Sequence, residues 1–246
     1  MTSIRVLRAA DRFSTSEPGR ETRHVFSFGA HYDPDRTGLG VLVACNEDRL
    51  QPGAGYDMHE HRGLEIVTWV LDGVLHHDDT SGHRGAVAAG SVQVLSAGRG
   101  VQHSELAGPQ APAHFVQMWL ATDAPAEAPA YAVVDVSSAL DEGGWVAVAG
   151  GEPGDGPAVL IRQPQACLQV ARLAPDAVLP LPLAASRFVH VTRGEVEVTG
   201  ADRLRAGDSA LMSGMGGVEG TDMRSQRVGA LGGAAEVLVW QLHVRR

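Results

Sequence analysis

Apolar and polar positions follow each other in short segments along the whole chain. Runs rich in valine, leucine, isoleucine and tryptophan, such as GVLVACN, LEIVTWVL, SVQVLSA and AHFVQMWLA, alternate with turns such as YDPDRTG, QPGAG and SAGRG. Short strands separated by Gly-, Asp- and Pro-rich turns are typical of β-sandwiches and β-barrels. No long amphipathic helix is predicted. The sequence therefore predicts an all-β protein.

The strand pattern is interrupted once and then returns. Two Ala-, Gly- and Pro-rich stretches, DAPAEAPA and AGGEPGDGPA, surround a weakly patterned piece. We therefore predict an N-terminal domain over residues 1–123, a linker and interdomain segment over 124–159, and a C-terminal domain over 160–246. The halves also resemble each other: TWVLDGVLHHDD and RGAVAAGSVQVLSAGRG have counterparts in VHVTRGEVEVTG and DRLRAGDSALMSGMGG. A duplicated β-domain is the simplest interpretation, and chance similarity of β-hairpins is the alternative.

Composition narrows the possible functions. The 246-residue chain has a formal charge of −9 and dispersed arginines, so nucleic-acid binding is not expected. It contains no lysine, which excludes Schiff-base chemistry on a lysine. The cysteines, Cys45 and Cys167, are far apart, which excludes a thiolate zinc site and favours a reducing, cytoplasmic location. No signal peptide is read, and no apolar run reaches the roughly 18–20 residues of a membrane span.

Two pairs of potential metal ligands stand in strand-like segments of the first half. His59 and His61 lie in GYDMHEHRG, and His103 and Glu105 lie in AGRGVQHSEL. Residues i and i+2 of a strand point to the same face, so each pair can converge on one ion. Imidazole and carboxylate ligands suit iron, manganese, nickel, copper or zinc. A metal site on neighbouring strands is predicted, whereas a single His-x-His near a turn is usually a solvated loop.

Four further residues are candidates for the surroundings of this site. Continued alternation from His61 would bring Glu65 to the same face as a ligand or hydrogen-bond acceptor, although Gly63 can change the parity. His77 and His83, in GVLHHDDTSGHRG, are candidate pocket residues. This segment could form a second metal site or a solvated loop at the rim of the barrel. Met118 is expected to pack the barrel with Phe26, Phe28 and Trp119, although an aromatic residue or a methionine at the barrel mouth would suit a flat ligand. In the repeat, the positions of the four potential ligands are occupied by Pro180, Pro182, Gly220 and Asp222.

These motifs carry a family resemblance. The segment from Gly53 to Glu65 resembles the first motif of the cupins. HEHRGLEIVTWVLDG, SGHRG, AGRGVQHSEL and FSFGAHYDPDRTGLGVLVACNEDRLQPG resemble the pirin family of bicupins over roughly residues 20–123. The second half resembles the degenerate C-terminal cupin of that family only in pattern. The resemblance implies two cupin-type β-barrel (jelly-roll) domains in tandem, the second without metal ligands.

The resemblance also implies a cofactor. It is one mononuclear divalent metal ion, usually iron, held by three histidines and a glutamate; Mn, Ni, Co, Cu and Zn stay open. The implied ligands are His59, His61, His103 and Glu105. In the family the ligating carboxylate matches Glu105, so Glu65 is expected behind the ligands. The residue between the first two histidines is typically proline in relatives and is Glu60 here; it is harmless if it points outward and would perturb the site if the strand is bulged.

Two classes of function follow from the resemblance. The first is a quercetin 2,3-dioxygenase-type enzyme that opens a small polyphenolic substrate with O2, with Glu105 as the general base. The second is a non-catalytic regulatory protein in which a redox-sensing iron controls contact with a protein partner. A sugar-phosphate isomerase ranks last, because it would need inward-facing cationic residues among Arg62, Arg84 and Arg99. Neither the natural substrate nor the oligomeric state is predicted.

Overall fold

The protein is almost entirely β-structure and forms two compact units. The computed structural model describes residues 2–152, 156–214 and 224–243. The N-terminal unit comprises Phe13–Ser137 with Ala158–Pro164, and the C-terminal unit comprises Met1–Arg12, Ser138–Pro157 and Gln165–Arg246. The predicted all-β, two-domain cupin fold is confirmed. No helix in the described ranges is long and apolar enough to cross a membrane.

In the described residues the secondary structure consists mainly of strands, joined by turns and by longer segments such as residues 25–41. One short 3-10 helix spans Ala9–Asp11, and one short α-helix, α1, spans Ser137–Asp141. The strands in chain order are β1 Thr2–Leu7, β2 Phe13–Glu17, β3 Arg20–His24, β4 Leu42–Leu50, β5 Gly55–His61, β6 Leu64–Asp72, β7 Val74–Asp79, β8 Arg84–Ala88, β9 Ser91–Ser96, β10 Val101–Ala107, β11 Ala113–Ala121, β12 Ala130–Asp135, β13 Val146–Gly150, β14 Val159–Leu160, β15 Ala166–Leu173, β16 Val178–Pro180, β17 Ser186–Arg193, β18 Glu195–Val198, β19 Ala201–Arg205, β20 Ser209–Gly214, β21 Arg227–Ala230 and β22 Ala235–Leu242.

Each unit pairs a large sheet with a small one. In the N-terminal unit the large sheet has the order β12-β9-β6-β11-β4-β3-β2, and the small sheet β5-β10-β7-β8. In the C-terminal unit the corresponding orders are β1-β20-β17-β22-β15-β13 and β16-β21-β18-β19. Strands β4 to β11 therefore match β15 to β22 one for one. The shared topology supports a duplication rather than chance similarity of hairpins.

Strand alternation separates the interior of the small sheet from its outer face. Along β10 the odd positions, from Val101 to Ala107, are buried, and the even positions are exposed or half-buried. An apolar cluster that includes Leu75, Val87 and Phe115 fills the interior of the N-terminal unit. Burying side chains of this size contributes about 1.5–3 kcal/mol each. This packing fixes the register of the strands that carry the paired histidines.

The boundaries of the two units differ from the predicted domain boundaries, because two edge strands belong to other parts of the fold than the sequence predicted. Residues 2–7, assigned from the sequence to the N-terminal domain, form β1 and pair with β20 of the C-terminal unit from Thr2↔Gly214 to Leu7↔Ser209. Residues 130–135, assigned to the linker, form β12 and pair with β9 of the N-terminal unit. A strand at the edge of a sheet exposes unpaired backbone groups. β1 provides hydrogen bonds to β20, and β12 provides them to β9.

Candidate metal centre

The register of the small sheet brings both pairs of potential ligands together. In the antiparallel pair β5–β10, His103 stands directly opposite His59. On its other side β10 pairs with β7, where His103 faces Asp79 and Glu105 faces His77. Directly opposed residues have Cβ atoms about 4.5–5.5 Å apart. Strand β10 therefore carries two ionisable residues on its inner face, between histidines on both neighbouring strands.

Three imidazole rings converge at one point. The ring centroids of His59, His61 and His103 are separated pairwise by 4.8 Å (59–61), 4.5 Å (59–103) and 4.9 Å (61–103). One nitrogen of each ring lies within 4.8 Å of the others. A second group with the same spacing consists of His77, His103 and Glu105. His103 belongs to both groups, so Glu105 lies near one member of the three-histidine group and is grouped with His77 rather than with His59 and His61.

The hydrogen bonds of these histidines leave one nitrogen of each ring available. Nδ1 of His59 donates to the backbone carbonyl oxygen of Asp57 at 2.7 Å, so the lone pair of the neutral ring is on Nε2. Nε2 of His61 and Nε2 of His103 are buried and have no hydrogen-bond partner in the protein. Buried polar atoms normally have partners, and a metal ion would supply one here. The donor set therefore fits a divalent metal ion.

Burial keeps two of the three rings neutral. Burial, with repulsion from His103 and His59, lowers the pKa of His61 to about 4. Burial, with repulsion from His59 and His77, lowers the pKa of His103 to about 3. Only a neutral imidazole has a lone pair for a metal ion. At neutral pH both rings are therefore in the ligating protonation state.

Two glutamines hold the carboxylate of Glu105. Nε2 of Gln93 donates to one oxygen at 2.6 Å, and Nε2 of Gln117 donates to the other at 2.7 Å. Both glutamines are themselves oriented by hydrogen bonds. Oε1 of Gln93 accepts one from the hydroxyl of Tyr131 at 3.0 Å, and Oε1 of Gln117 accepts one from the indole N–H of Trp119 at 2.9 Å. An indole nitrogen can only donate, so the amide of Gln117 has one possible orientation. Each oxygen of Glu105 keeps a second lone pair for another contact.

His77 lies behind His103 and not among the converging rings. Its Nδ1 is 3.4 Å from Nδ1 of His103, and its Nε2 is 3.2 Å from Oδ2 of Asp79. Both ring nitrogens therefore have protein partners, which leaves His77 no free lone pair for an ion. Tyr131 stacks on His77 with ring centroids 4.2 Å apart. His83, whose side chain is 40% exposed, also reaches Oδ2 of Asp79 at 3.1 Å.

The other two pocket candidates face away from the histidines. One oxygen of Glu65 accepts hydrogen bonds from Ser96 at 2.5 Å and from the backbone N–H of Arg162 at 3.1 Å. Gly63 has φ of +66°, which breaks strand alternation between His61 and β6 and turns Glu65 to the other face. Met118 is fully buried, but Gln117 and Trp119 point to the site, so alternation places Met118 on the opposite face of β11.

Glu60 and two of the arginines lie on the outside of the small sheet. The side chain of Glu60 is half exposed and pairs with Arg62 at 3.3 Å. Arg84 pairs with Asp78 at 3.1 Å, with a largely exposed side chain. Glu60 is thus outward-facing, the harmless arrangement. Arg62 and Arg84 do not supply the inward cations that a sugar-phosphate isomerase would need.

Several residues around the centre are absent from the sequence prediction. They are Gln93, Gln117 and Tyr131. A usable signal exists for the glutamines, because each interrupts an apolar strand, SVQVLS and FVQMW. Tyr131 has no such signal, since it stands in the stretch interpreted as a linker.

Comparison with known proteins agrees with this architecture. The pirin family model matches residues 6–120. A protein of Mycobacterium tuberculosis named "putative quercetin 2,3-dioxygenase" is 38% identical over 244 residues, which cover 99% of this chain and 96% of the relative. The chain belongs to the pirin family. The quercetin 2,3-dioxygenase of Escherichia coli is 35% identical to this pirin over 119 residues, which cover 48% of this chain and 51% of the relative.

Solved structures show the same fold. The bacterial pirin YhhW of Escherichia coli in complex with nickel(II) superposes with a TM-score of 0.85 at 24% identity, covering 98% of this pirin and 100% of YhhW. A quercetin 2,3-dioxygenase of Acinetobacter baumannii superposes with a TM-score of 0.68 at 22% identity, covering 91% and 80% of the two chains. The likeness establishes the bicupin fold of this pirin, in which a histidine and glutamate cluster can hold a metal ion.

Proposed function

We propose that this pirin is a metal-dependent dioxygenase of the quercetin 2,3-dioxygenase type, with one divalent ion, most simply iron, held by His59, His61, His103 and Glu105. The observation that carries the proposal is the convergence of three imidazoles, two of which, His61 and His103, have buried Nε2 atoms without a protein partner. The names of full-length relatives support the reaction class. Such an ion, when bound, acts as a Lewis acid that stabilises the anion of an enol or phenol and provides positions for O2.

The protein side chains would bind and orient a flat substrate beside the ion. Trp119 is half-buried, with its ring 4.8 Å from that of His61, and Phe28 meets Trp119 edge-on at 5.0 Å. Aromatic faces of this kind favour offset-stacked and edge-on contacts with an aromatic ligand. This partly exposed pair supports a small polyphenol as the substrate.

Glu105 is the proposed acceptor of the substrate hydroxyl proton. Its two oxygens already accept hydrogen bonds from Gln93 and Gln117, which keep the carboxylate in one orientation. A base must lie within hydrogen-bond reach of the proton that it removes, so the proposal requires the substrate hydroxyl to bind beside a free lone pair of Glu105.

An aerobic assay tests the proposal. The protein is reconstituted separately with iron, manganese, nickel, cobalt and copper and mixed with quercetin, while the flavonol absorbance and O2 are followed. We expect loss of the flavonol spectrum with at least one metal and none with Glu105→Ala. Full metal occupancy without turnover of any flavonol would contradict the enzyme and favour a regulatory protein that contacts a protein partner. The cytoplasmic location predicted from the isolated cysteines belongs to the same proposal.

A further inference from the structure

We propose that Asp79, acting through His77, is a positioning residue that fixes the tautomer of His103 so that its Nε2 lone pair faces the metal. The proposal rests on the metal site proposed above, but it concerns a state of the protein that exists without the ion. The first relevant feature is that Asp79, His77 and His103 form one continuous buried chain of hydrogen bonds, with side chains of His77 and Asp79 that are fully buried.

The direction of each hydrogen bond in this chain follows from Asp79. Its Oδ1 accepts from the backbone N–H groups of Ser81 at 2.8 Å and His83 at 3.1 Å. Burial alone would raise the pKa of Asp79, but the hydrogen bonds from His77, His83 and Ser81 together hold it below its ordinary value. Asp79 is therefore a carboxylate, which can only accept. His77 must donate from Nε2, and a neutral His77 then has its lone pair on Nδ1.

His103 completes the chain. Since Nδ1 of His77 is an acceptor, Nδ1 of His103 must carry the proton across their 3.4 Å contact. The lone pair of a neutral His103 is then on Nε2, the buried atom that has no protein partner. An outer carboxylate that orients a ligating histidine in this way typically changes metal affinity 10–100-fold. Here the carboxylate acts through a second imidazole.

A stacked tyrosine holds the ring of His77 in place. Tyr131 stacks on it at 4.2 Å, with an interplanar angle of 18°. The hydroxyl of Tyr131 reaches Gln93, which in turn donates to Glu105. The structure thus connects the carboxylate clamp and the histidine chain through one tyrosine, and the rings cannot rotate freely.

Replacing Asp79 by asparagine provides a selective test, because the two side chains have the same shape. The asparagine oxygen still accepts the N–H groups of Ser81 and His83. Its amide nitrogen instead donates to Nε2 of His77, which moves the His77 proton to Nδ1 and the His103 proton to Nε2. His83→Gln is the matched control, since His83 contacts the same oxygen of Asp79 from the solvent side.

Two measurements test the histidine tautomer and the metal affinity separately. Long-range 1H–15N spectra of the metal-free protein are expected to show Nδ1–H for His103 in the wild type and in His83→Gln, and Nε2–H in Asp79→Asn. Ni²⁺ titration against a chelator is expected to give 10–100-fold weaker binding for Asp79→Asn. Asp79→Glu, which keeps a carboxylate, is expected to recover the wild-type tautomer.

An unchanged His103 tautomer in folded Asp79→Asn would overturn the proposal, whatever the metal affinity. If that variant does not fold, His77→Leu replaces it, because it removes the acceptor from His103 with similar volume; a persistent single Nδ1–H tautomer would then be the contradictory result. By contrast, Ni²⁺ binding that survives His103→Ala would overturn the metal site. The spectra of the metal-free protein would still decide on the histidine chain.

Discussion

The two small sheets have the same strand order but different residues where their strands meet. In the N-terminal unit β5 and β10 place His59 opposite His103. In the C-terminal unit the corresponding strands β16 and β21 place Pro180 opposite Arg227. Pro180 is where the sequence repeat places it, whereas Gly220 and Asp222, the expected counterparts on the other strand, lie outside the described residues. One strand pair therefore carries imidazoles, and its counterpart carries none.

The two units also differ in the side chains that fill their interiors. A large apolar cluster, which includes Val189, Val196 and Val228, fills the C-terminal unit. The N-terminal unit buries Glu105 with Gln93 and Gln117, each of which has a hydrogen-bond partner. The polar side chains buried in the C-terminal unit are different ones and include Arg187 and Gln226, which contact each other. Burying a carboxylate without partners is costly. The same strand order therefore forms in the C-terminal unit without a buried Glu105 centre.

The largest expected effect comes from removing the shared ligand. His103→Ala should reduce bound metal from about one ion per chain to almost none, since His103 belongs to both groups of potential ligands. Arg227→Ala, at the corresponding strand of the C-terminal unit, should leave metal content unchanged. Elemental analysis of both purified variants makes the measurement. Equal loss in both variants would remove the distinction between the units.

The carboxylate clamp should have the next largest effect. Gln117→Leu removes one hydrogen bond to Glu105 and releases the indole N–H of Trp119, so we expect metal affinity to fall by roughly 10–100-fold. Gln102→Leu is the control, because Gln102 lies on the exposed face of β10. Competition with a chelator gives both affinities. Similar values for the two variants would show that the clamp does not position Glu105.

A pH-dependent effect is expected from Asp48, which is buried and accepts hydrogen bonds from Thr22 and Tyr56 at 2.6 Å each. Burial raises its pKa to about 6, against roughly 3.9 in an unfolded chain. Between these values the folded chain keeps a proton that the unfolded chain releases. The contribution of this carboxyl to stability is therefore present below about pH 4 and is lost as pH rises through about 6.

Asp48→Asn tests that sign, because asparagine does not titrate and still accepts both hydrogen bonds. Relative to the wild type, the variant should gain about 2 kcal/mol in free energy of unfolding between pH 4 and pH 7. Urea unfolding at both pH values measures this difference. A difference that is independent of pH, or that has the opposite sign, would contradict the assigned protonation of Asp48.

A smaller loss of stability is expected at Gly85. A Cβ atom there would clash with the hydroxyl of Tyr131, which stacks on His77 and cannot easily move. Gly85→Ala should lower the free energy of unfolding by on the order of 1 kcal/mol. Gly233→Ala, in the C-terminal unit, has open space and should be nearly neutral. Thermal melts give the melting temperatures of both variants. Equal melting temperatures would show that Tyr131 can move to make room for the added methyl group.

The smallest effect is expected at Glu60, between the first two histidines. Its side chain is outside the sheet and pairs with Arg62, and exposed ion pairs contribute little. Glu60→Gln should therefore change Ni²⁺ affinity by no more than about twofold. A larger change would mean that the charge of Glu60 acts on the centre and that the outer face is not isolated from it.

The sequence predicts the part of the centre that depends on strand alternation alone. The His-x-His and His-x-Glu pairs need only the two-residue period of a strand, and the all-β class needs only the spacing of turns. Glu65 shows where this reasoning fails. Gly63, two residues before it, has a positive φ, and the alternation of side chains between the two faces is reversed there. The boundaries of the units also depend on long-range pairing, such as that of β1 with β20.

The residues behind the ligands were less accessible to prediction. The contact between His77 and His103 depends on the register of β7 against β10, which no local pattern encodes. Tyr131 pairs into the large sheet from a stretch rich in alanine and proline. Both positions are determined by tertiary packing, which overrides the local sequence signal.

In the proposed arrangement the N-terminal unit binds a metal ion and its structural counterpart does not. Anomalous diffraction at the nickel edge from crystals of the Ni²⁺-loaded protein tests it most directly. We expect one peak per chain, bonded to Nε2 of His59, His61 and His103 and to an oxygen of Glu105, with no peak in the C-terminal unit. A peak bonded to His77 and Asp79 instead, or one in the C-terminal unit, would contradict it.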